Sequence, residues 1–282
     1  MPELPEVEVL ARHLGPLLQN RKIQGVEVRR PRIVAPTTVE DFSQRLRGAT
    51  FLRLSRRGKY LQFEMRGRNG KAFPLIGHLG MTGRMYLSPA KNALPKHAAV
   101  VLGFGAEKFI FEDTRYFGRL TLDTQSIAAL GPEPLGDEFT AEYFFHALQR
   151  SAQAVKVKLL DQQLVAGVGN IYASEALFRA GIPPQLPARR LKPPQVARLR
   201  QTIRETLRDA IKRGSTVPLY SGEGKSDGLF YFGNGSDKPD FSVEQLRVYD
   251  RAGEPCGTCK SPIKRIVQGA RSTFYCPKCQ RR

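Results

Sequence analysis

Between residues 22 and 124, apolar and polar positions alternate in short runs. FLRLSRR from Phe51, KYLQFEM from Lys59, AAVVLGF from Ala98, KFIFED from Lys108 and GRLTLD from Gly118 share this beat. A period of two places successive side chains on opposite faces of a strand. Gly, Asn and Pro separate the runs, so the segment reads as strands and turns, a sandwich or a barrel. VEDFSQRLRG from Val39 interrupts the beat and predicts a helix. Ahead of the strands, residues 5–19 carry Val7, Leu10, Leu14 and Leu17 at helical spacing. Pro5 suits the first helical position, and Glu6 and Glu8 suit the positive end of the dipole. Gly15-Pro16 predicts a kink or an early end.

GPEPLGDEF at 131–139 has the composition of a linker. Beyond it the period becomes helical. Thr140 is placed to cap AEYFFHALQR, a run from Ala154 continues through KVKLLDQQLV, and IYASEALFRA follows. PPQVARLRQTIRETLRDAIKRG then starts with Pro and stops at Gly214. Val196, Leu199, Ile203, Leu207 and Ile211 share one face, and Arg198, Arg204, Arg208 and Lys212 read as a solvated face. Residues 215–241, rich in Gly and Ser, read as a long loop. The chain is therefore expected to be α+β and multidomain. A β-sandwich with flanking helices covers 1–130, a hinge 131–139, a helical domain with its loop 140–241, and a cysteine-bearing tail 242–282.

Charge narrows the partners. Lys and Arg number 45 against 26 acids, a formal net charge of +19. Self-repulsion of that size favours a polyanionic partner, and nucleic acid leads because phosphates bound by Lys and Arg release counterions. The bland alternatives are a basic protein kept soluble by its charge and one held at an anionic membrane. The longest apolar stretch, AAVVLGFG, is too short to span a bilayer. The acidic opening does not resemble a signal peptide. A cytoplasmic, monomeric protein associated with the nucleoid is expected.

All four cysteines lie from Cys256 onward, as Cys256-x2-Cys259, sixteen residues, then Cys276-x2-Cys279. Two close thiolate pairs at this spacing predict one tetrahedral Zn²⁺, with redox pairs or iron as alternatives. With four sulfur ligands no position is left for water, so the metal is structural. The runs around Gln268-Gly269 predict a hairpin carrying Lys264, Arg265 and Arg271. Such a finger can enter a DNA groove.

Two further stretches carry candidate chemistry. In AGVGNIYASEAL, Gly167 and Gly169 allow a tight turn and Asn170 can cap the next helix. A glycine-lined helix N-terminus can also present amides to a phosphate. In the opening MPELPEVEVL, removal of Met1 leaves Pro2 with a free secondary amine beside Glu3. An amine next to a carboxylate is a candidate catalytic pair.

PELPEVE, the Gly-Val-Gly-Asn junction and the finger with ARSTFYCPKCQ together resemble the formamidopyrimidine-DNA glycosylase family. RRGKYL, HLGMTG, TRYFG and LGPEPL extend the resemblance over almost the whole chain. PELPEV looks like the purine-lesion branch; the endonuclease-VIII branch typically has glycine where this chain has Leu4. The resemblance implies a β-sandwich, a hinge, a helix–two-turn–helix domain and a zinc finger. It implies removal of 8-oxoguanine and formamidopyrimidines from damaged double-stranded DNA, then backbone cleavage, with no diffusible cofactor. Pro2 is then the nucleophile and Glu3 the acid/base. Glu6 is a possible second carboxylate or simply a first-turn helix acid. Lys59 and Arg271 match positions credited with phosphate contact and elimination. Asn170 matches a phosphate ligand, and His97 and Arg115 match DNA contacts. Met81, Arg115 and Phe117 match the groups that fill the gap left by a flipped nucleotide, although Met81 and Phe117 read alone suggest buried packing. His13, His78 and His146 have no such match and read as structural or surface.

Three positions depart from the family pattern. Ser151, next to Arg150, stands where a lysine is usual. Lys260 replaces a glycine after the second cysteine, which predicts an altered turn. The loop within 217–241 looks longer and more aromatic than its counterpart, which bears on base preference. The alternatives are a same-family enzyme for oxidised pyrimidines or abasic sites, and a non-catalytic zinc-finger DNA-binding protein.

Overall fold

The computed structural model describes residues 2–213 and 246–281. The predicted 215–241 loop lies outside the described residues. The chain divides into two compact units near Ala128, with Glu3–Pro5 belonging to the second.

Helix α1 (Leu4–Leu18) belongs to the first unit from Glu6 onward. Its apolar stripe, Val7, Leu10 and Leu14, is buried in the unit's core. Contrary to the predicted early end, the helix carries Pro16 inside its last turn. In the last turn the proline removes a single i→i−4 bond, and the N–H of Gln19 still donates to the Gly15 carbonyl. Strand β1 (Gly25–Val28) and short helices α2 (Pro31–Val34) and α3 (Val39–Leu46) follow. The Thr38 hydroxyl caps α3 by accepting the N–H of Asp41.

Seven more strands complete the unit: β2 (Thr50–Arg57), β3 (Tyr60–Arg66), β4 (Ala72–His78), β5 (Arg84–Pro89), β6 (Ala98–Gly103), β7 (Glu107–Glu112) and β8 (Arg119–Thr121). They form two four-stranded sheets, β1-β6-β7-β5 and β2-β3-β4-β8, with every pairing antiparallel. The predicted sandwich is therefore present. Phe63 of β3 meets Phe109 of β7 edge-on at 6.1 Å, joining the two inner faces. The expected alternation fails in β6 and β7, which are buried on both faces. Ala98, Val101 and Ile110 form a separate cluster with Tyr86 and Leu94, covering the face turned away from the main core. Helix α4 (Gln125–Ala128) ends the unit.

In the second unit, residues 129–140 hold no helix or strand. Helix α5 (Ala141–Gln149) is capped by Thr140, whose hydroxyl accepts the N–H of Tyr143. The run from Ala154 forms only a short helix, α6 (Val155–Leu159), rather than the long one predicted. Asp161 stops it: its carboxylate takes the Lys158 ammonium and the N–H of Gln163, favouring a turn over a further helical turn. Helix α7 (Asn170–Arg179) and helix α8 (Pro193–Lys212) follow. Val196, Leu199, Ile203 and Leu207 of α8 are buried as expected. The opposite face is not simply solvated. Arg198 donates to the Ala180 carbonyl, and Arg204 donates to the carbonyls of Pro134, Leu135 and Gly136. The Arg204 guanidinium satisfies backbone oxygens of the 129–140 segment, and Arg198 one at the end of α7.

Strands β9 (Lys264–Gln268) and β10 (Arg271–Tyr275) form the predicted hairpin. Gly269 and Ala270 at its tip both have positive φ, the geometry that matches strand twist in a two-residue loop. Phe274 packs with Ile263, Val248 and Phe178, seating the hairpin on α7.

Candidate functional site

The second unit gathers polar groups around the start of α7. Glu3 is almost wholly buried, and its carboxylate accepts the N–H of Ile171 at 3.0 Å and of Tyr172 at 3.4 Å. The N–H of Leu4 donates to the Gly167 carbonyl at 3.1 Å, holding the extended N-terminal residues against the turn. A carboxylate at the positive end of a helix is electrostatically favoured. Gly169 makes the approach possible: a Cβ there would stand 2.2 Å from the Glu3 carboxyl carbon. Two of the amides expected to meet a phosphate are thus taken by Glu3.

Asn170 does not cap the helix. Gly169 occupies the cap position, and Asn170 is the first helical residue. Its side chain turns elsewhere, with Nδ2 donating to the Ser272 carbonyl on β10 at 2.9 Å and Oδ1 accepting from Lys156. Lys156 was read from sequence only as part of a helical run, yet it is fully buried. Burial, then the nearby Arg271 charge, lowers its pKa to about 8, while Glu3 opposes the shift. Glu3, Asn170, Lys156 and Arg271 therefore share one environment. A lysine flanked by Val155 and Val157 carries no sequence signal that separates it from a surface lysine. Glu175 was also missed: its buried carboxylate accepts the N–H groups of Arg247, Val248 and Tyr249, anchoring the chain that leads into the finger.

In the finger, the four cysteine sulfurs lie within 4.8 Å of one another. The Cys256–Cys279 and Cys259–Cys276 sulfurs are 3.9 and 3.4 Å apart. A tetrahedron of Zn–S bonds of about 2.3 Å has sulfur–sulfur edges of about 3.8 Å, so the set fits one structural Zn²⁺. The chain carries the zinc-finger donor set expected for it. Lys260 sits at φ +62, the left-handed conformation that glycine adopts freely, and its N–H bonds the Cys256 carbonyl. The substitution keeps a glycine-type turn rather than altering it. Ser151 accepts the N–H of Gln153, and Arg150 beside it is exposed.

In the first unit, the ends of β4 and β7 carry a second set. Lys59, in the β2–β3 turn, is nearly buried. Its charge faces His78, which stacks on Tyr60 at 4.6 Å. Burial, then Lys59 and Arg119, push the His78 pKa down to about 4. His78 is thus a half-buried group held neutral, its Nδ1 accepting the N–H of Gly80. His13 is half-buried and His146 exposed.

Met81 and Phe117 are 40% and 46% exposed, so the buried-packing reading of both fails. Large apolar side chains held outward on tight turns are available to a partner. The Arg115 guanidinium lies over the Phe117 ring at 4.7 Å. Tyr116 between them has φ +53; its hydroxyl meets His97 Nδ1 at 3.2 Å, and Arg30 covers its ring. Pro2 is buried, and Glu6 is fully buried rather than a solvated first-turn acid. No helix among the described residues is long and apolar enough to cross a membrane.

Known families match the chain in three consecutive segments. The formamidopyrimidine-DNA glycosylase N-terminal domain matches residues 1–120, the formamidopyrimidine-DNA glycosylase H2TH domain 130–220, and the zinc finger found in FPG and IleRS 253–282. A formamidopyrimidine-DNA glycosylase of Burkholderia thailandensis is 40% identical over 294 residues, covering 100% of both chains. That of Chloroflexus aurantiacus is 39% identical, covering 99% of this chain and 98% of its own. Among solved structures, Lactococcus lactis Fpg in complex with DNA containing an abasic site has a TM-score of 0.86 at 34% identity, covering 99% of this chain and 100% of that one. The same Lactococcus protein bound to N7-benzyl-Fapy-dG DNA matches with a TM-score of 0.86 over 100% of both chains.

Proposed function

The chain belongs to the formamidopyrimidine-DNA glycosylase family, and on that premise we propose that it removes oxidised purines from duplex DNA and then cuts the backbone at the abasic site. The substrates are 8-oxoguanine and formamidopyrimidines. The observation that carries the reading is the Glu3 carboxylate, next in the chain to Pro2 and held by the Ile171 and Tyr172 amides. A carboxylate so fixed serves proton transfer, because its position costs no reorganisation when the reaction occurs.

A base inside a duplex cannot be attacked at its sugar, so the damaged nucleotide is first extruded. Met81, Phe117 and Arg115 fill the vacated stack, the guanidinium bonding the orphaned base. With Met1 removed, the Pro2 nitrogen attacks C1′ of the sugar. Its pKa starts near the ordinary terminal-amine value of about 8, so a useful fraction is neutral at pH 7. Glu3 donates a proton as the sugar ring opens. The C1′–base bond breaks with its electron pair leaving on the base, which takes up the proton lost from the Pro2 nitrogen, and as the C1′–O4′ bond opens a cationic iminium forms between Pro2 and C1′. That cation acidifies the C2′ proton. Its loss expels the 3′ phosphate by β-elimination, and a second elimination expels the 5′ phosphate.

Lys59, Asn170 and Arg271 hold phosphates, with His97 as a further DNA contact, and Glu6 is a second buried carboxylate. Zn²⁺, when held by Cys256, Cys259, Cys276 and Cys279, supplies rigidity to the finger and no chemistry. Residues 1–130 form the catalytic domain, 131–139 the hinge, 140–241 the DNA-binding domain and 242–282 the finger. The +19 charge supports an enzyme associated with DNA, in the cytoplasm and its nucleoid.

Borohydride trapping on a panel of duplexes, each with one lesion, tests the reading. A covalent adduct located on Pro2, formed faster with 8-oxoguanine than with oxidised pyrimidines, is expected. An adduct on another residue, or none where a known glycosylase is trapped, overturns it. So does full activity in a protein extended ahead of Pro2.

A further inference from the structure

Two turns of the first unit are tied together by one carboxylate. Asp113, just after β7, is fully buried. Its Oδ1 accepts the Thr82 hydroxyl at 2.5 Å and the N–H of Arg115 at 3.1 Å, and its Oδ2 accepts the N–H of Gly118 at 2.8 Å. Thr82 Oγ1 accepts the Arg115 N–H as well, at 3.3 Å. The turns also meet at Gly80, φ +61, where a Cβ would stand 2.6 Å from the Gly118 nitrogen. One turn presents Met81 and the other presents Arg115 and Phe117, all three outward.

These bonds link the two turns through one side chain. A buried carboxylate holding three donors is costly to disturb, since each donor then loses its partner. Asp113 is itself too deep to touch DNA, and the Thr82 hydroxyl is committed to it.

We propose that Asp113 and Thr82 are positioning residues that join the Met81 turn and the Arg115–Phe117 turn into one rigid wedge, and that by fixing the Arg115 backbone they set the discrimination among bases opposite the lesion. The proposal rests on the assignment of Met81, Arg115 and Phe117 to gap filling. A guanidinium on a long side chain reads a base edge selectively only when its own backbone is fixed, because a loose anchor lets it reach several acceptors equally well.

The test measures single-turnover excision of 8-oxoguanine placed opposite each of the four bases, alongside cleavage of an abasic site in single-stranded DNA. Single-stranded DNA has no opposite base and no stack to refill. Thr82→Val removes the hydroxyl at nearly constant volume on an exposed residue. Asp113→Asn offers an NH₂ to one of three donors, and Thr82→Ser keeps the hydroxyl. In Thr82→Val the ratio of best to worst opposite base is expected to fall at least about fivefold, the size of coupling between hydrogen-bonded neighbours. Its duplex rate should fall relative to its single-strand rate, Asp113→Asn should behave alike, and Thr82→Ser should retain the wild-type ratio.

If Thr82→Val keeps the wild-type opposite-base ratio, or loses duplex and single-strand rates in equal proportion, the carboxylate only holds the fold and the proposal falls. Should Asp113→Asn fail to fold, Thr82→Val alone decides. Wild-type protein inactive on every lesion duplex would instead sink the assigned function, a result distinct from active wild type with unchanged ratios.

Discussion

The Glu3 carboxylate accepts the N–H of Ile171 at 3.0 Å, across a separation of 168 residues. Glu3 therefore does for α7 what a neighbouring Ser or Asp does for most helices, from the far end of the polypeptide. Capping and proposed catalysis rest on the same two oxygens, so they can be perturbed together or apart.

Gly169→Ala pushes a methyl into the Glu3 carboxylate. Excision is expected to fall by about 100-fold as the acid/base group is displaced. Glu3→Gln is expected to lower excision by a similar factor, while duplex affinity stays near wild type. In Glu3→Gln one of the two amides meets an NH₂ in place of an oxygen, so stability should fall by about 1 kcal/mol. Single-turnover kinetics beside a DNA-binding titration check both; normal excision in Gly169→Ala would contradict the geometry.

Lys156 gives a pH signature. Its pKa is lowered to about 8 by burial and Arg271, with Glu3 acting in the opposite sense. Between pH 8 and 10.5 the unfolded chain holds a proton that the folded protein has released. Stability from this group therefore rises with pH across that window. Removing the Glu3 charge should move the Lys156 midpoint below its wild-type value. Titration of the lysine by NMR in wild type and Glu3→Gln reads the shift, and a midpoint that moves upward or not at all argues against the shared environment.

His78 works at the other end of the scale. Its pKa falls to about 4 from an ordinary 6.5. Below pH 6.5 the unfolded chain takes up a proton first, so stability from this group declines as pH drops and levels off below 4. The whole change amounts to about 3 kcal/mol. In His78→Asn the slope of stability against pH between 4 and 6.5 should flatten. Denaturant midpoints measured across that range provide the comparison, and an unaltered slope would mean the fold does not hold the histidine neutral.

Lys260 holds a left-handed turn at φ +62 beside the second cysteine. Lys260→Gly should stabilise the finger by about 1 kcal/mol, since glycine enters that conformation without steric cost. Resistance of the metal to a competing chelator is the measure. Faster metal loss in the glycine variant would show that the lysine contributes something beyond its backbone.

Several parts of this protein were legible without coordinates because they are local. Two CxxC pairs need only their spacing to define a four-sulfur site. The β2 and β3 alternation and the α8 stripe record which face each segment buries. The formal net charge is a count of residues, and the opening PELPEV is a contiguous run. Where local patterns failed, a distant neighbour decided. β6 and β7 lost their polar face because a second cluster covers it. Met81 and Phe117 look like core residues in the sequence, and the tertiary structure holds them outward. Asn170 lost its cap role because Gly169 occupies that position and Glu3 supplies the acceptors, which frees its side chain for Lys156 and Ser272. Periodicity and spacing act within a few residues, whereas burial and hydrogen-bond partnership depend on which remote segments the folded chain brings together. The amino-acid order alone could therefore name the catalytic candidates, but only the fold could show what holds Glu3, what buries Lys156 and what ties Asp113 to Thr82.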